Sequence, residues 1–306
     1  MRIEYHRTLI ADRVRNEAFE KALGTVIKRG ETSVADIGAG TGLLALMAVK
    51  CGARDVFLYE TAEVAGVAAK VLKANGARNC HLIPCHSTEM VDPPRVDVIV
   101  SETLGNYALE EHIIETLADA KKRFLKPGGT MIPRRIEQYV APVVGDRIHR
   151  EFAAWNETGF EMSVARTMSL NNIYVRTLAP EELLEAKLWD TVELGSDARS
   201  ARKGEASWKL RRAVSIYGFA VWWRAELVPG VTLSTAPDAP RTHWEQLYFP
   251  LLSPIAAKSG ETVSVALRSR TSQEGGTHVA WTAKHLDGKG SEVARQALNL
   301  DKGYLP

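Results

Sequence analysis

The sequence predicts an α/β first half, built on a doubly wound parallel sheet, followed by an antiparallel sandwich or barrel. Three observations carry that reading. Short apolar runs alternate with helix-period segments up to residue 134. A glycine-rich loop stands between the first run and the first of those segments. Beyond Pro133-Arg134-Arg135 the texture changes to period-two alternation punctuated by proline, glycine and serine. No flexible linker is visible, so residues 1–134 and 135–306 are expected as two units joined by a direct strand-to-strand passage.

In chain order, the strands expected in the first unit are Ser33–Ile37, Asp55–Glu60, His81–Pro84 and Val96–Glu102. Apolar residues at three- and four-residue spacing fill Leu43–Gly52, Glu63–Gly76 and Leu109–Gly129, each closing at a glycine, a frequent helix stop. Val96–Val100 has few polar positions, which suits a strand covered on both faces. In the second unit Ile136–Val144, Asn171–Leu178, Trp189–Leu194, Ala213–Leu227, Val231–Ala236, Thr262–Arg270 and His278–Leu286 read as strands. Trp222 and Trp223 are neighbours in one of these, so at least one ring is expected in the core.

Composition narrows the classes of function. A chain of 306 residues suits about two domains of roughly 150 residues. The net charge of +2 is too small to require a nucleic acid or a membrane as partner, and neither is expected. No apolar run approaches the roughly 18 residues of a membrane helix. The opening residues carry charges where a signal peptide would carry its apolar core, so they read as mature protein. Three cysteines are odd in number and sparse, which points to reduced thiols and the cytoplasm.

Asp36-Ile37-Gly38-Ala39-Gly40-Thr41-Gly42 leaves the first strand and opens the first long helix. Glycines there let a ligand approach the backbone and permit unusual dihedrals. The spacing is G-x-G-x-G, not the G-x-G-x-x-G of a dinucleotide pyrophosphate site. Glu60 ends the second strand and is placed to accept both hydroxyls of a ribose. A nucleoside without a pyrophosphate fits S-adenosylmethionine better than NAD.

The fourth strand ends in Ser101-Glu102, and Glu111 follows across a loop that can pivot at Gly105. Ligands of open α/β sheets lie outside the carboxyl ends of the strands, so Glu102 points at the reactive end of a cofactor. Two facing carboxylates repel unless a cation joins them. A planar guanidinium meets a carboxylate with two parallel hydrogen bonds. On spacing alone Glu111 belongs equally to the first turn of an amphipathic helix, where acids are favoured.

Taken together, these motifs resemble the class I protein arginine N-methyltransferases over nearly the whole chain. Val34–Gly42 resembles the family's cofactor loop, Leu58-Tyr59-Glu60 its ribose-binding strand end, and Ser101-Glu102 through Glu111 its double-glutamate loop. Thr242-His243-Trp244 resembles its Thr-His-Trp loop. Asn106 and Tyr107 depart from the usual residues of the double-glutamate loop. The resemblance implies a Rossmann-like S-adenosylmethionine-dependent methyltransferase domain followed by a β-barrel domain with a dimerisation arm at about Val144–Ser169. Without the resemblance that arm is a helical excursion packed on its own barrel.

The resemblance also implies roles. Glu102 and Glu111 would clamp the substrate guanidinium beside Trp244, while Asp12 and His243 would form the pair bridging the two domains. His6, Arg15, Asp36, Gly38, Gly40, Gly42, Glu60, Ser87 and Thr88 would hold the cofactor, Arg15 by gripping its methionine carboxylate. Only Tyr5 precedes His6 as a tyrosine, so the family's aromatic lid is short or absent here, and Leu9 and Ile113 stand where methionines often shape product type.

The activity implied is N-methylation of arginine, leaving S-adenosylhomocysteine, by a homodimer acting on a protein or peptide. Free arginine or another small guanidino compound is the close alternative, and a non-catalytic cofactor-binding scaffold is the alternative of another class. The cluster Cys80-His81 and Cys85-His86 invites a metal reading, but strand alternation sends its members to opposite faces, and no metal is expected. Arg199, Arg202, Lys203, Lys209, Arg211 and Arg212 read as a solvated loop and strand edge.

Overall fold

The computed structural model describes residues 3–110, 112–196, 199–272 and 276–302. Two helices, α1 (Ile3–Ala11) and α2 (Arg13–Val26), lead into a five-stranded parallel sheet of β1 (Ser33–Ile37), β2 (Asp55–Tyr59), β3 (Cys80–Ile83), β4 (Val96–Ser101) and β5 (Leu125–Ile132). The strand order is β3-β2-β1-β4-β5, so the winding reverses between β1 and β4. That reversal opens a crevice at the carboxyl ends of the central strands. The register is level there, since Ile37 pairs with both Tyr59 and Ser101. Residues just past β1, β2 and β4 therefore converge on one place. The helices α3 (Leu43–Cys51), α4 (Ala65–Ala74) and α5 (Ile113–Phe124) make the crossovers.

Local chemistry explains where these elements stop. Gly42, at φ 84°, turns the chain into α3, and Gly52, at φ 100°, ends it. Asp12 caps α2 by accepting the Arg15 N–H at 2.9 Å. The helix expected over Leu109–Gly129 is shorter in the structure, closing at Phe124 with β5 beginning at the next residue. Pro127 biases Lys126 toward an extended backbone, and Gly128 takes a positive φ. The Lys-Pro-Gly-Gly stretch then becomes an irregularity within β5, opposite Val96–Val98.

After Pro133 the chain passes directly into β6 (Arg135–Val143) and the antiparallel half. One sheet has the order β7-β12-β10-β6-β8, made by Tyr174–Arg176, Gln246–Ala257, Val214–Val228, β6 and Lys187–Glu193, with β11 (Val231–Ser234) beside β10. The other has the order β15-β14-β13-β9, made by Glu292–Asn299, Gly276–Leu286, Thr262–Ser272 and Arg202–Lys209. Trp208 against Phe219, centroids 6.0 Å apart, and Phe249 against Trp281, 5.1 Å apart, join the two sheets into a barrel-like core. Both Trp222 and Trp223 are buried. In this half three strands lie outside those expected: Arg202–Lys209, Gln246–Ala257 and Glu292–Asn299.

Between β6 and β7 lie α6 (Arg147–Glu151), a 3-10 turn at Phe152–Asn156 and α7 (Ser163–Leu170). Ile148, Phe152 and Leu170 seat this excursion against Trp222 and Tyr248 of the barrel. Its far side carries Phe160 at 80% exposure and Val164 at 65%. Among the described residues, no helix is long and apolar enough to cross a membrane.

Trp281 is buried, packs on Phe249 and donates its indole N–H to the Pro250 carbonyl at 3.0 Å. Trp281→Ala is expected to lower stability by about 3–5 kcal/mol through the cavity it leaves. Urea unfolding should show a lower midpoint with an unchanged slope.

Candidate active site

Three consecutive features at the strand ends build a cavity of about 320 Å³. After β1 comes the glycine loop. Gly38 has φ 73° and lies so close to Thr103 that a β-carbon there would come within 2.6 Å of the threonine methyl. Gly40, at φ 55°, faces the His6 ring, and a β-carbon there would approach it to 3.4 Å. Side chains at these positions would therefore crowd the wall of the cavity.

After β2 comes Glu60. Its carboxylate accepts the Gly40 N–H and the Ala62 N–H, both at 2.8 Å, and it lines the cavity. Two backbone donors fix its orientation. Ser87 and Tyr59 also line the cavity, buried and with hydroxyl oxygens that have no hydrogen-bond partner; the same holds for His6 Nε2. Buried polar atoms of this kind call for a partner, and the hydroxyls and ring nitrogens of a nucleoside would supply it. Burial lowers the His6 pKa despite the opposing effect of Glu60, so its imidazole is neutral.

After β4 comes Glu102. The Arg15 Nε donates to Glu102 Oε2 at 2.6 Å, and Arg15 Nη2 contacts the same oxygen. The two side chains are 7% and 4% exposed. Arg15 reaches Glu102 because Asp12 fixes the start of α2, and Arg15 Nη1 is held by Asn16 Oδ1 at 2.7 Å. Oε1 of Glu102 accepts the Leu104 N–H at 3.3 Å.

The second carboxyl oxygen of Asp12, Oδ2, accepts the His243 N–H at 2.8 Å and pairs with His243 Nδ1 at 2.7 Å. This joins α2 to the loop following β11. Trp244 donates its indole N–H to the Leu104 carbonyl at 2.9 Å, and its ring meets Trp223 edge-on at 5.0 Å.

Comparison with known proteins agrees with this arrangement. Residues 135–282 match the arginine methyltransferase oligomerization subdomain, and residues 19–158 match the family of ribosomal protein L11 methyltransferase. The chain is 32% identical to an arginine N(omega)-methyltransferase of Streptomyces achromogenes, over 86% of this chain and 75% of that protein. It is also 32% identical to protein arginine N-methyltransferase 6 of Xenopus tropicalis, over 80% of this chain and 77% of the relative. The chain belongs to the protein arginine N-methyltransferase family.

The fold agrees as well. The Trypanosoma brucei PRMT1 enzyme–prozyme complex with AdoHcy superposes with a TM-score of 0.85 at 22% identity, covering 96% of this chain and 97% of that one. Arabidopsis thaliana protein arginine methyltransferase 10 gives 0.82 at 22% identity, with 98% of each chain covered. This arginine methyltransferase thus has a Rossmann-like domain and a β-barrel domain, and it is an S-adenosylmethionine-dependent enzyme.

Several expected site residues take unexpected places in this methyltransferase. Asp36 is fully buried in β1 and stands behind the cavity rather than in its lining. Thr88 turns outward, where its hydroxyl meets His86 Nδ1 at 2.6 Å; Cys85 and Thr116 line the cavity instead. Arg15, expected on a cofactor carboxylate, lies on Glu102. Glu111 lies outside the described residues. Asn106 and Tyr107, noted only as departures, prove to be attachment points of the loop: Asn106 Oδ1 accepts the Glu245 N–H at 2.9 Å, and the Tyr107 hydroxyl meets Ser269 inside the barrel. Among the described residues no cluster of histidine, cysteine and acid is arranged to hold a metal.

Burial pushes the Asp36 carboxyl up to about 7, against the opposing pull of the Ala45 N–H and the Arg15 guanidinium. Because the folded value lies above the ordinary 3.8, Asp36 favours the fold when protonated, and stability is lost as pH rises through 7. Asp36→Asn should therefore gain on wild type by about 2–3 kcal/mol between pH 5 and pH 8. Unfolding at the two pH values measures this, and a difference constant across the range would rule out the buried acid.

Burial also holds the His243 pKa below 6.5, although Asp12 opposes the shift. In Asp12→Asn the helix cap is kept but the anion that favours the imidazolium is gone. The His243 titration followed by NMR should move further down in pH in that variant. An upward move would contradict the pairing.

Proposed function

We propose that residues 1–134 hold S-adenosylmethionine and that residues 135–306 help present an arginine of a protein or peptide to it, within a cytoplasmic homodimer. The observation that carries the reading is Glu102. At the level end of β4 its buried carboxylate already receives a guanidinium, that of Arg15, beside the cavity lined by the glycine loop and Glu60.

The residues fit the cofactor. Glu60, fixed by two backbone donors, would take the ribose hydroxyls, while His6 and Ser87 offer polar atoms along the nucleoside. Gly38 and Gly40 leave room for the ligand at the backbone, and Gly42 starts the helix beneath it. Arg15 would lie between the methionine carboxylate and Glu102 and hold both, a role for which its forked donors are suited. Asp36 would act from behind the wall by its charge state, and Thr88 would border the site without touching the ligand. The bound cofactor supplies an electrophilic methyl group on a sulfonium.

What this chain contributes is grip and alignment. Arginine is a weak nucleophile because its lone pairs are delocalised and its pKa is about 12.5 or higher. Glu102 and Glu111 would neutralise the substrate guanidinium and draw its charge toward the nitrogens that are not reacting. Fixed geometry of this kind removes much of the barrier to an in-line transfer. Trp244 would form part of the wall on the substrate side, and the Asp12–His243 pair would lock the barrel to α2 there. The exposed Phe160 and Val164 of the α6–α7 excursion support the homodimer, and the match to the oligomerization subdomain supports it further. The three free cysteines support the cytoplasm.

Free arginine is the second reading, favoured by the name of the Streptomyces relative. Parallel incubations with labelled cofactor, one with an arginine-rich peptide and one with free arginine, separate the two. Transfer to the peptide is expected, and exclusive transfer to the amino acid would replace the protein substrate with the small one. Glu111→Gln is expected to bind cofactor as wild type does and to lose methyl transfer by about 10²–10³-fold, the equivalent of stranding a buried cation. Near wild-type turnover in that variant would refute the clamp.

A further inference from the structure

The loop that leaves Glu102 is tied to its own sheet only near its start, by Ser101 Oγ to Thr103 Oγ1 at 3.4 Å and by the Leu104 N–H to Glu102 Oε1 at 3.3 Å, among the described residues. Four successive residues are held by the β-barrel half: Leu104 by the Trp244 indole, Gly105 by the Trp223 indole at 3.1 Å, Asn106 by the Glu245 N–H, and Tyr107 by Ser269 and Gln138. The first three contacts end at the loop. Tyr107 differs because its own side chain leaves the loop and enters the barrel. It is 3% exposed, and its hydroxyl meets Ser269 Oγ of β13 and receives the Gln138 Nε2 donor of β6 at 3.5 Å. Gln138 is fully buried and Ser269 nearly so. Immediately after Tyr107 the backbone enters the left-handed region at Ala108, φ 68°, a conformation that residues with a β-carbon rarely adopt. Within the turn the Tyr107 N–H donates to Glu110 Oε1 at 3.2 Å and the Ala108 N–H to the Gly105 carbonyl at 2.9 Å, and the Tyr107 side chain adds a hold from outside it.

We propose that Tyr107 is a positioning residue for methyl transfer: its buried hydroxyl pins the loop that follows Glu102, so that the barrel sets where the acids meet the substrate guanidinium. The inference rests on the function proposed above. It assigns Tyr107 no contact with cofactor or substrate.

The test uses the full chain carrying Tyr107→Phe, Ser269→Ala and both together. Phenylalanine keeps the ring in the core and removes only the hydroxyl. Cofactor affinity is expected to stay within about twofold of wild type, while kcat on the arginine peptide falls about tenfold, the equivalent of one buried hydrogen bond. The double variant should fall no further than the worse single one, as expected for two partners in one contact. Amide exchange at residues 103–110 should speed up about tenfold in Tyr107→Phe while β1 and β4 exchange as before. Wild-type kcat together with wild-type loop exchange in Tyr107→Phe would overturn the proposal, as would losses in the two single variants that simply multiply. If the wild-type protein transfers no methyl group to any guanidine, the functional reading fails by itself. Loop exchange then still decides: faster exchange keeps Tyr107 as the pin of the loop, and unchanged exchange removes it.

Discussion

The Arg15–Glu102 pair takes two full charges out of water at the end of the parallel sheet, and much of the surrounding architecture follows from what that requires. A buried ion pair is tolerable only when both partners stay in place, because removing one strands the other at a cost of about 3–5 kcal/mol. Asp12 secures Arg15 from one side by capping α2 with Oδ1, and with Oδ2 it grips His243 on the barrel. One short stretch of helix thus links the sheet, the N-terminal helices and the antiparallel half through hydrogen-bonded charges. The site is assembled from three regions of chain, and no single region could hold it.

The same cation bears on the electrostatics of the cavity. Glu60 and Glu102 line its wall and Asp36 stands behind, with Arg15 opposing them. Three ionised acids around one arginine would leave a strongly negative interior. Burial answers this by raising the Asp36 pKa to about 7, so that near neutrality its charge is partly withdrawn. His6 and His243 are driven the other way and remain neutral, available as hydrogen-bond partners rather than as added cations. A field of this sign and modest size suits a positively charged ligand without repelling one that also carries a carboxylate.

Much of this was legible in the sequence because the decisive residues sit where local pattern and topology coincide. The glycine loop, Glu60 and Glu102 each follow a short apolar strand, and parallel strands bring their carboxyl ends together. What escaped was decided by long-range packing. Gln246–Ala257 contains Pro250 and Pro254, which argue against a strand, yet the ladder with β10 shifts register opposite that stretch and accommodates them. Glu292–Asn299 is an edge strand that buries only Leu298, and Arg202–Lys209 buries only Ala206 and Trp208. Thr88 escaped for a different reason: its neighbour Ser87 turns inward, and a 3-10 turn sends the next side chain out. Asp36 is fully buried in β1 and is not among the residues lining the cavity that Ile37 and Gly38 border, a burial that a strand-end acid does not announce in sequence.

Asn106 and Tyr107 show how the acidic loop is tied to the other half of the fold. Each places a hydrogen-bonding group on the loop, and each group finds a partner on the barrel, Glu245 for one and Ser269 with Gln138 for the other. Gln138 lies in β6, within ten residues of the passage between the halves, while Ser269 lies far along the chain in β13. A loop anchored at both places can hold its course only when the two sheets of the barrel are correctly stacked. The barrel is therefore more than a platform for substrate, because the path of the acidic loop is specified by barrel residues. That dependence gives a physical reason for the two halves to be joined by a direct strand-to-strand passage, since any freedom at the junction would be transmitted to the carboxylates.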